Sequence, residues 1–219
     1  MILISDQSIQ LMHDQFVGAD LPAHDHPTVY AMCGIPGAGK SSFVKQMRAT
    51  GVFPEQAFTL NPDMVMEALP EYCQLKSQSG AEEAFLQLEM PTRDLAYSML
   101  GIAQERRLDI IKDMGCTRQE NLNKLIDLKS SGYRIKTHYI EVDPETAIRR
   151  IQTRERHTPT AMIHERYEAL RELLPQLRGL SDEFLTYNND QDSQPAIEAT
   201  KEEKPCLKFR QSLPRRGVR

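Results

Sequence analysis

Short apolar runs alternate with stretches of helical period from residue 28 onward. TVYAMC at 28–33 predicts a strand, and SSFVKQMRAT after it predicts a helix to about Thr50. AFTLNPD predicts a second short strand ending at Asn61 to Asp63, with a helix over MVMEALPEY behind it. Between Ala81 and about Arg107, Phe85, Leu88, Leu95, Met99 and Ile102 recur at three- and four-residue spacing, with one gap between Leu88 and Leu95. That pattern predicts one long amphipathic helix, kinked at Pro91. LDIIKDMG reads as a third strand, RQENLNKLIDLKSSG as a helix ending in Gly132, and YRIKTHYIEVD as a fourth strand. PETAIRRIQTRER opens a helix with Pro144 in its first turn; a long helix follows from about Thr160 to Leu177, and EFLTYNN is the last strand.

Strands alternating with helices imply right-handed crossovers and a mostly parallel five-stranded sheet covered on both faces, an α/β three-layer domain. This domain is expected over residues 27–190. Residues 1–26 form a polar, acidic extension in which SIQLMHDQFV can pack as a short helix against the core. Residues 191–219 are polar and without period, and 205–219 carry Lys208, Arg210, Arg215, Arg216 and Arg219 with no acid. A disordered tail able to touch an acidic partner is expected there.

Composition narrows the class. A chain of 219 residues, 40% of them hydrophobic, buries one good core rather than two full domains. The formal net charge of -4 lacks the basic footprint of a protein that holds a long nucleic acid. Cys33, Cys73, Cys116 and Cys206 show neither CxxC nor Cys/His metal spacing. No segment approaches the ~18 apolar residues of a membrane span, and the start has no basic leader or small-residue cleavage site. A reduced cytoplasmic protein, made without a cleaved export signal, is the expectation.

The chemistry is concentrated in GIPGAGKSS at 34–42. Gly34, four residues, Gly39, Lys40 and Ser41 have the spacing of a phosphate loop between a strand and a helix. The backbone of Gly34, Ile35, Pro36, Gly37, Ala38 and Gly39, continuing into Lys40, Ser41 and Ser42, is expected to cradle the phosphates of ATP at a helix N-terminus. Lys40 is placed to bridge the β- and γ-phosphates and the Ser41 hydroxyl to bind Mg²⁺. A GTPase is discounted, because the nearest guanine-reading look-alike, NKLID at 123–127, has one residue too many and lies in a predicted helix.

A kinase needs a carboxylate for the proton of the attacking hydroxyl and cations for the moving phosphoryl charge. Asp63, just beyond the second strand, is the candidate base; a helix cap by Asn61 or Asp63 is the competing reading. Asp113, at the end of the third strand, is the second acid on that edge, either for Mg²⁺ or as a turn residue before Gly115, with Thr117 close by. Arg150 and Arg154 stand four apart, with Arg156 beyond, where a lid belongs. They are read either as lid cations or as a solvated charged face.

Taken together, GIPGAGKSS, LNPD, IIKDMG, YRIKTHYIEVDPETAIRR, the Arg-x-x-x-Arg and YNN resemble the zeta-toxin family of phosphate-loop kinases over roughly residues 28–190. The resemblance implies ATP and Mg²⁺ held by Lys40 and Ser41, Asp63 as base, Asp113 as the third-strand acid, and Arg150, Arg154 and Arg156 as lid cations. It also implies a small acceptor, UDP-N-acetylglucosamine in some members, and leaves an antitoxin partner open. Two local features depart from the family pattern. Met66 and Glu67 stand where an arginine is common, and Asp113, Met114, Gly115, Cys116, Thr117 replace an acid-Gly-Thr.

Two other functions stay open on the sequence: a kinase for nucleosides or nucleic-acid ends, and an ATP-binding regulatory protein in which Asp63 only caps a helix. His24, Asp25 and His26 read as a solvated cluster rather than a metal site. His138 reads as a packed strand histidine, Met64, Met66, Met90, Met99, Met114 and Met162 as core filling, and Cys33 and Cys116 as small buried hydrophobes.

Overall fold

The computed structural model of the chain describes residues 4–18, 20–153, 160–190 and 200–201. Among them one sheet is built from β1 (Thr28–Cys33), β2 (Phe58–Leu60), β3 (Ile110–Lys112), β4 (Arg134–Glu141), β5 (Glu183–Asn188) and β6 (Thr200–Lys201). Their order is β2-β3-β1-β4-β5-β6. The first five strands are parallel, with Ala31 opposite Lys112 and Met32 opposite His138 on either side of β1. β6 adds two residues antiparallel to β5, with Thr200 opposite Thr186. A piece of the tail expected to be disordered thus continues the sheet; the rest of 191–219 lies outside the described residues.

The helices are α1 (Asp6–Phe16), α2 (Lys40–Ala49), α3 (Pro62–Ala68), α4 (Pro70–Ser79), α5 (Ala81–Glu105), α6 (Gln119–Ser130), α7 (Pro144–Gln152) and α8 (Thr160–Leu180). MVMEALPEY, expected as one helix, is split between α3 and α4. The Pro70 ring bars the helical region to Leu69, which sits at φ -69°, ψ 129°. α5 continues through Pro91, and α8 through Pro175 to Leu180, past the expected end. α7 stops at Gln152 with Thr153 as its C-cap. α1 buries Met12 fully, and the Arg106 guanidinium holds the chain after it by donating to the carbonyls of Val17, Gly18 and Leu21.

Both faces of the sheet are covered. Tyr30, His138 and Tyr187 meet Phe43 of α2 and Phe53 on one side. On the other, Lys112 meets Asn121 of α6, and Thr137 meets Ser181 just after α8. Burial on both faces is why β1 and β3 read as nearly unbroken apolar runs. No described helix is long and apolar enough to cross a membrane. The five parallel strands all end at one edge, delivering Gly34, Asn61, Asp113, Val142 and Asn189 to it.

Candidate active site

The phosphate loop spans the gap between β1 and α2, and three other segments pin it. The Gly34 N–H donates to the Gly115 carbonyl at 3.1 Å, tying it to the chain after β3. Gly37 lies at φ 85°, and a Cβ there would come within 2.6 Å of the Ala147 carbonyl oxygen on α7. Only glycine permits both that backbone angle and that approach. Asn189, just past β5, donates its amide to the Ala38 carbonyl at 2.8 Å. The start of α7 is itself held by Asp143, whose Oδ2 accepts from the N–H groups of Glu145 and Thr146. A loop fixed from β3, α7 and β5 has its N–H groups preorganised for an anion at the positive end of α2.

Lys40, the first residue of α2, folds its ammonium onto that loop, with Nζ 3.0 Å from the Gly34 carbonyl and 2.9 Å from that of Ile35. The next residue, Ser41, is exposed and donates its hydroxyl to Asp113 Oδ2 at 2.9 Å. This brings the two expected metal-site residues together from positions 72 apart in sequence. A hydroxyl and a carboxylate are hard oxygen donors. Among the described residues no group of three or more His, Cys, Asp or Glu side chains is arranged to cage a metal. As an oxygen pair, Ser41 and Asp113 fit Mg²⁺, which takes one or two protein oxygens and completes its shell with phosphate and water.

Asp113 is buried, and its backbone N–H donates to the Leu60 carbonyl at 3.0 Å. Its Oδ2 also accepts from Asn61 Nδ2 at 2.9 Å. Asn61 is the N-cap of α3: its Oδ1 accepts from the N–H groups of Asp63 at 3.0 Å and Met64 at 3.3 Å. Capping therefore belongs to Asn61, and Asp63 stands exposed in the first turn of α3, where the helix dipole favours a carboxylate. Arg150 is half-buried on α7, the helix that backs Gly37. Arg154 and Arg156 lie outside the described residues.

Other polar groups at this edge gave little or no signal in the sequence. Arg118, next to Thr117, flanks the start of α6; burial, with the charges of Arg93 and Arg166 nearby, lowers its pKa. Lys112 is completely buried, with Nζ 2.9 Å from Asn121 Oδ1 and 3.7 Å from Cys116 Sγ. Cys116 takes the left-handed backbone angle φ 54°. A hydrogen bond from the Cys33 thiol, aided by the Lys112 ammonium, holds the Cys116 thiol down to about 6, while burial pushes Cys33 up. Both cysteines are buried in the hydrophobic core, as expected, with Cys116 also beside the Lys112 ammonium. His24 and Asp25 use their backbone carbonyls to accept from the Arg107 guanidinium, a structural role.

The zeta toxin family profile matches residues 15–204. The chain belongs to the zeta toxin family. Solved structures similar to it include the following. One is from the PezAT chromosomal toxin-antitoxin system of Streptococcus pneumoniae, at TM-score 0.60 and 16% identity, covering 84% of this chain and 77% of that one. Another is the AvrRxo1-ORF1:AvrRxo1-ORF2 complex, at TM-score 0.59 and 17% identity with sulphate ions, covering 90% of this chain and 66% of that one. The same complex with ATP gives TM-score 0.59 at 17% identity, over 86% of this chain and 62% of that one. At these identities the likeness is one of fold. A comparison with curated protein sequences finds no match. Family and fold agree on a zeta toxin chain with a phosphate loop on a kinase-like α/β sheet.

Proposed function

We propose that this zeta toxin family member transfers the γ-phosphoryl group of ATP to a hydroxyl of a small acceptor, with UDP-N-acetylglucosamine the acceptor of choice. The observation that carries the reading is the line from Ser41 Oγ through Asp113 Oδ2 to Asn61, at whose α3 Asp63 stands exposed in the first turn. In that arrangement a phosphate site, a metal site and a carboxylate base share one edge of the sheet.

The loop N–H groups hold the phosphates, and the Lys40 ammonium exchanges its two loop carbonyls for β- and γ-phosphate oxygens. Ser41 and Asp113 hold Mg²⁺, which when bound neutralises charge between those phosphates. Asp63 takes the proton of the acceptor hydroxyl, and Arg150, with Arg154 and Arg156, balances the charge on the phosphoryl group in transit. An acceptor carrying a diphosphate suits the guanidinium of Arg118 at the same edge, with Arg93 and Arg166 near it. An antitoxin is the proposed protein partner, and the cytoplasm the proposed site of action.

Mass spectrometry of the purified chain with ATP, Mg²⁺ and an acceptor panel tests this. A phosphate gained by UDP-N-acetylglucosamine, and lost with Lys40→Ala, supports the reading. Phosphate on nucleosides or polynucleotide ends instead would move the acceptor class, and no transfer to any acceptor would leave a nucleotide-binding protein.

A further inference from the structure

We infer that Asn61 is a positioning residue that fixes the metal-binding carboxylate to the helix that bears the base. Its side chain is used at both ends. Oδ1 accepts from Asp63 N–H at 3.0 Å and Met64 N–H at 3.3 Å, while Nδ2 donates to Asp113 Oδ2 at 2.9 Å. Both side chains are buried, Asn61 to 8% exposure and Asp113 to 9%. The contact joins β2 and β3 at their C-terminal ends, across 52 residues of sequence.

Capping alone does not call for an amide here. Ser and Asp cap a helix about as well as Asn, and Thr nearly so, yet Asp has no donor when ionised, and the single oxygen of a shorter hydroxyl side chain cannot stand at the cap and also reach Asp113, as the separate Oδ1 and Nδ2 of Asn do. An amide does both. With Ser41 Oγ and Asn61 Nδ2 both directed at Oδ2, the carboxylate that would hold Mg²⁺ is oriented from two sides. The same amide sets the height of the first turn of α3, and so of Asp63, relative to that carboxylate. Metal site and base are thereby registered by one side chain, bonded to Asp113 at one end and to the first turn of α3 at the other.

The test separates cap from link. Asn61→Ser keeps a cap and loses the reach to Asp113; Asn61→Ala loses both; Asn61→Thr, also a short capping residue, replaces Ser should that variant not fold. Calorimetric titration of each full-length protein with ADP, with and without Mg²⁺, reads the link without any turnover. Ser and Ala variants are expected to keep the Mg²⁺-free affinity and lose about tenfold of the tightening that Mg²⁺ confers. The Ala variant alone is expected to melt at clearly lower temperature. With an acceptor in hand, kcat falls about tenfold for the Ser variant while KM for ATP measured at saturating Mg²⁺ stays put. A Ser variant with the full wild-type gain from Mg²⁺ overturns the inference. The turnover arm rests on the kinase reading; the ADP arm does not, so a wild-type protein without transfer activity fails the former reading alone.

Discussion

The His138 imidazole lies on β4 among Tyr30, Phe43, Phe53 and Tyr187, with Nδ1 3.1 Å from the Tyr187 hydroxyl and Nε2 buried without a hydrogen-bond partner. Burial, with the Lys136 charge in second place, pushes it down from 6.5 to about 4. The folded chain therefore keeps this ring neutral while the unfolded chain protonates it below about 6.5. Stability from this residue is complete above pH 6.5 and is lost as pH falls to about 4, on the order of 3 kcal/mol in all. Urea midpoints measured between pH 7 and pH 4.5 are expected to fall steeply in the native chain and less steeply in His138→Asn. Equal slopes would remove His138 as the cause. The expectation of a packed strand histidine matches this setting, because a histidine opposite Met32 in a sheet covered on both faces has no water to reach.

At the scale of elements, β3 and α6 are joined through a buried charge. Lys112 reaches Asn121 on α6 and Cys116 in the connection, with Cys33 of β1 donating to the same sulfur. Removing the sulfur leaves the buried Lys112 ammonium facing the Asn121 amide alone of these two groups. Cys116→Ala is thus expected to cost about 2 kcal/mol, and Lys112→Met on top of it to restore at least half of that. Chemical denaturation of the two single variants and the double variant reads the coupling, and simple additivity would show that the pair does not act as one. None of this was visible in LDIIKDMG. A lysine in a strand ordinarily marks a solvent face, and only the cover of α6 over β3 makes Lys112 interior. The division of α3 from α4, in contrast, was written locally in Pro70, whose effect on Leu69 outweighs the apolar pattern of the segment.

Over the whole molecule, what the sequence made legible is what local chemistry and strand alternation determine. The phosphate loop follows from glycines three and two residues apart, and the meeting of Ser41 with Asp113 follows from the rule that parallel strands deliver their ends to one edge. The amide of Asn61 bridging to Asp113, and Asn189 bracing Ala38, were not legible, because each depends on a side chain finding a partner 52 or 151 residues away. The proposed function rests on the assembled edge: Asp63 on α3 would take the proton of an acceptor hydroxyl that attacks a phosphoryl group held at the loop before α2. Replacing Asp63 by Asn keeps size and hydrogen bonding and removes the proton acceptor. The decisive measurement is ATP affinity and phosphoryl transfer to UDP-N-acetylglucosamine, side by side, in the native chain and Asp63→Asn. Transfer is expected to fall by about 10²-fold or more with ATP affinity unchanged; transfer preserved in the variant, or lost only in step with ATP affinity, would contradict a base at Asp63.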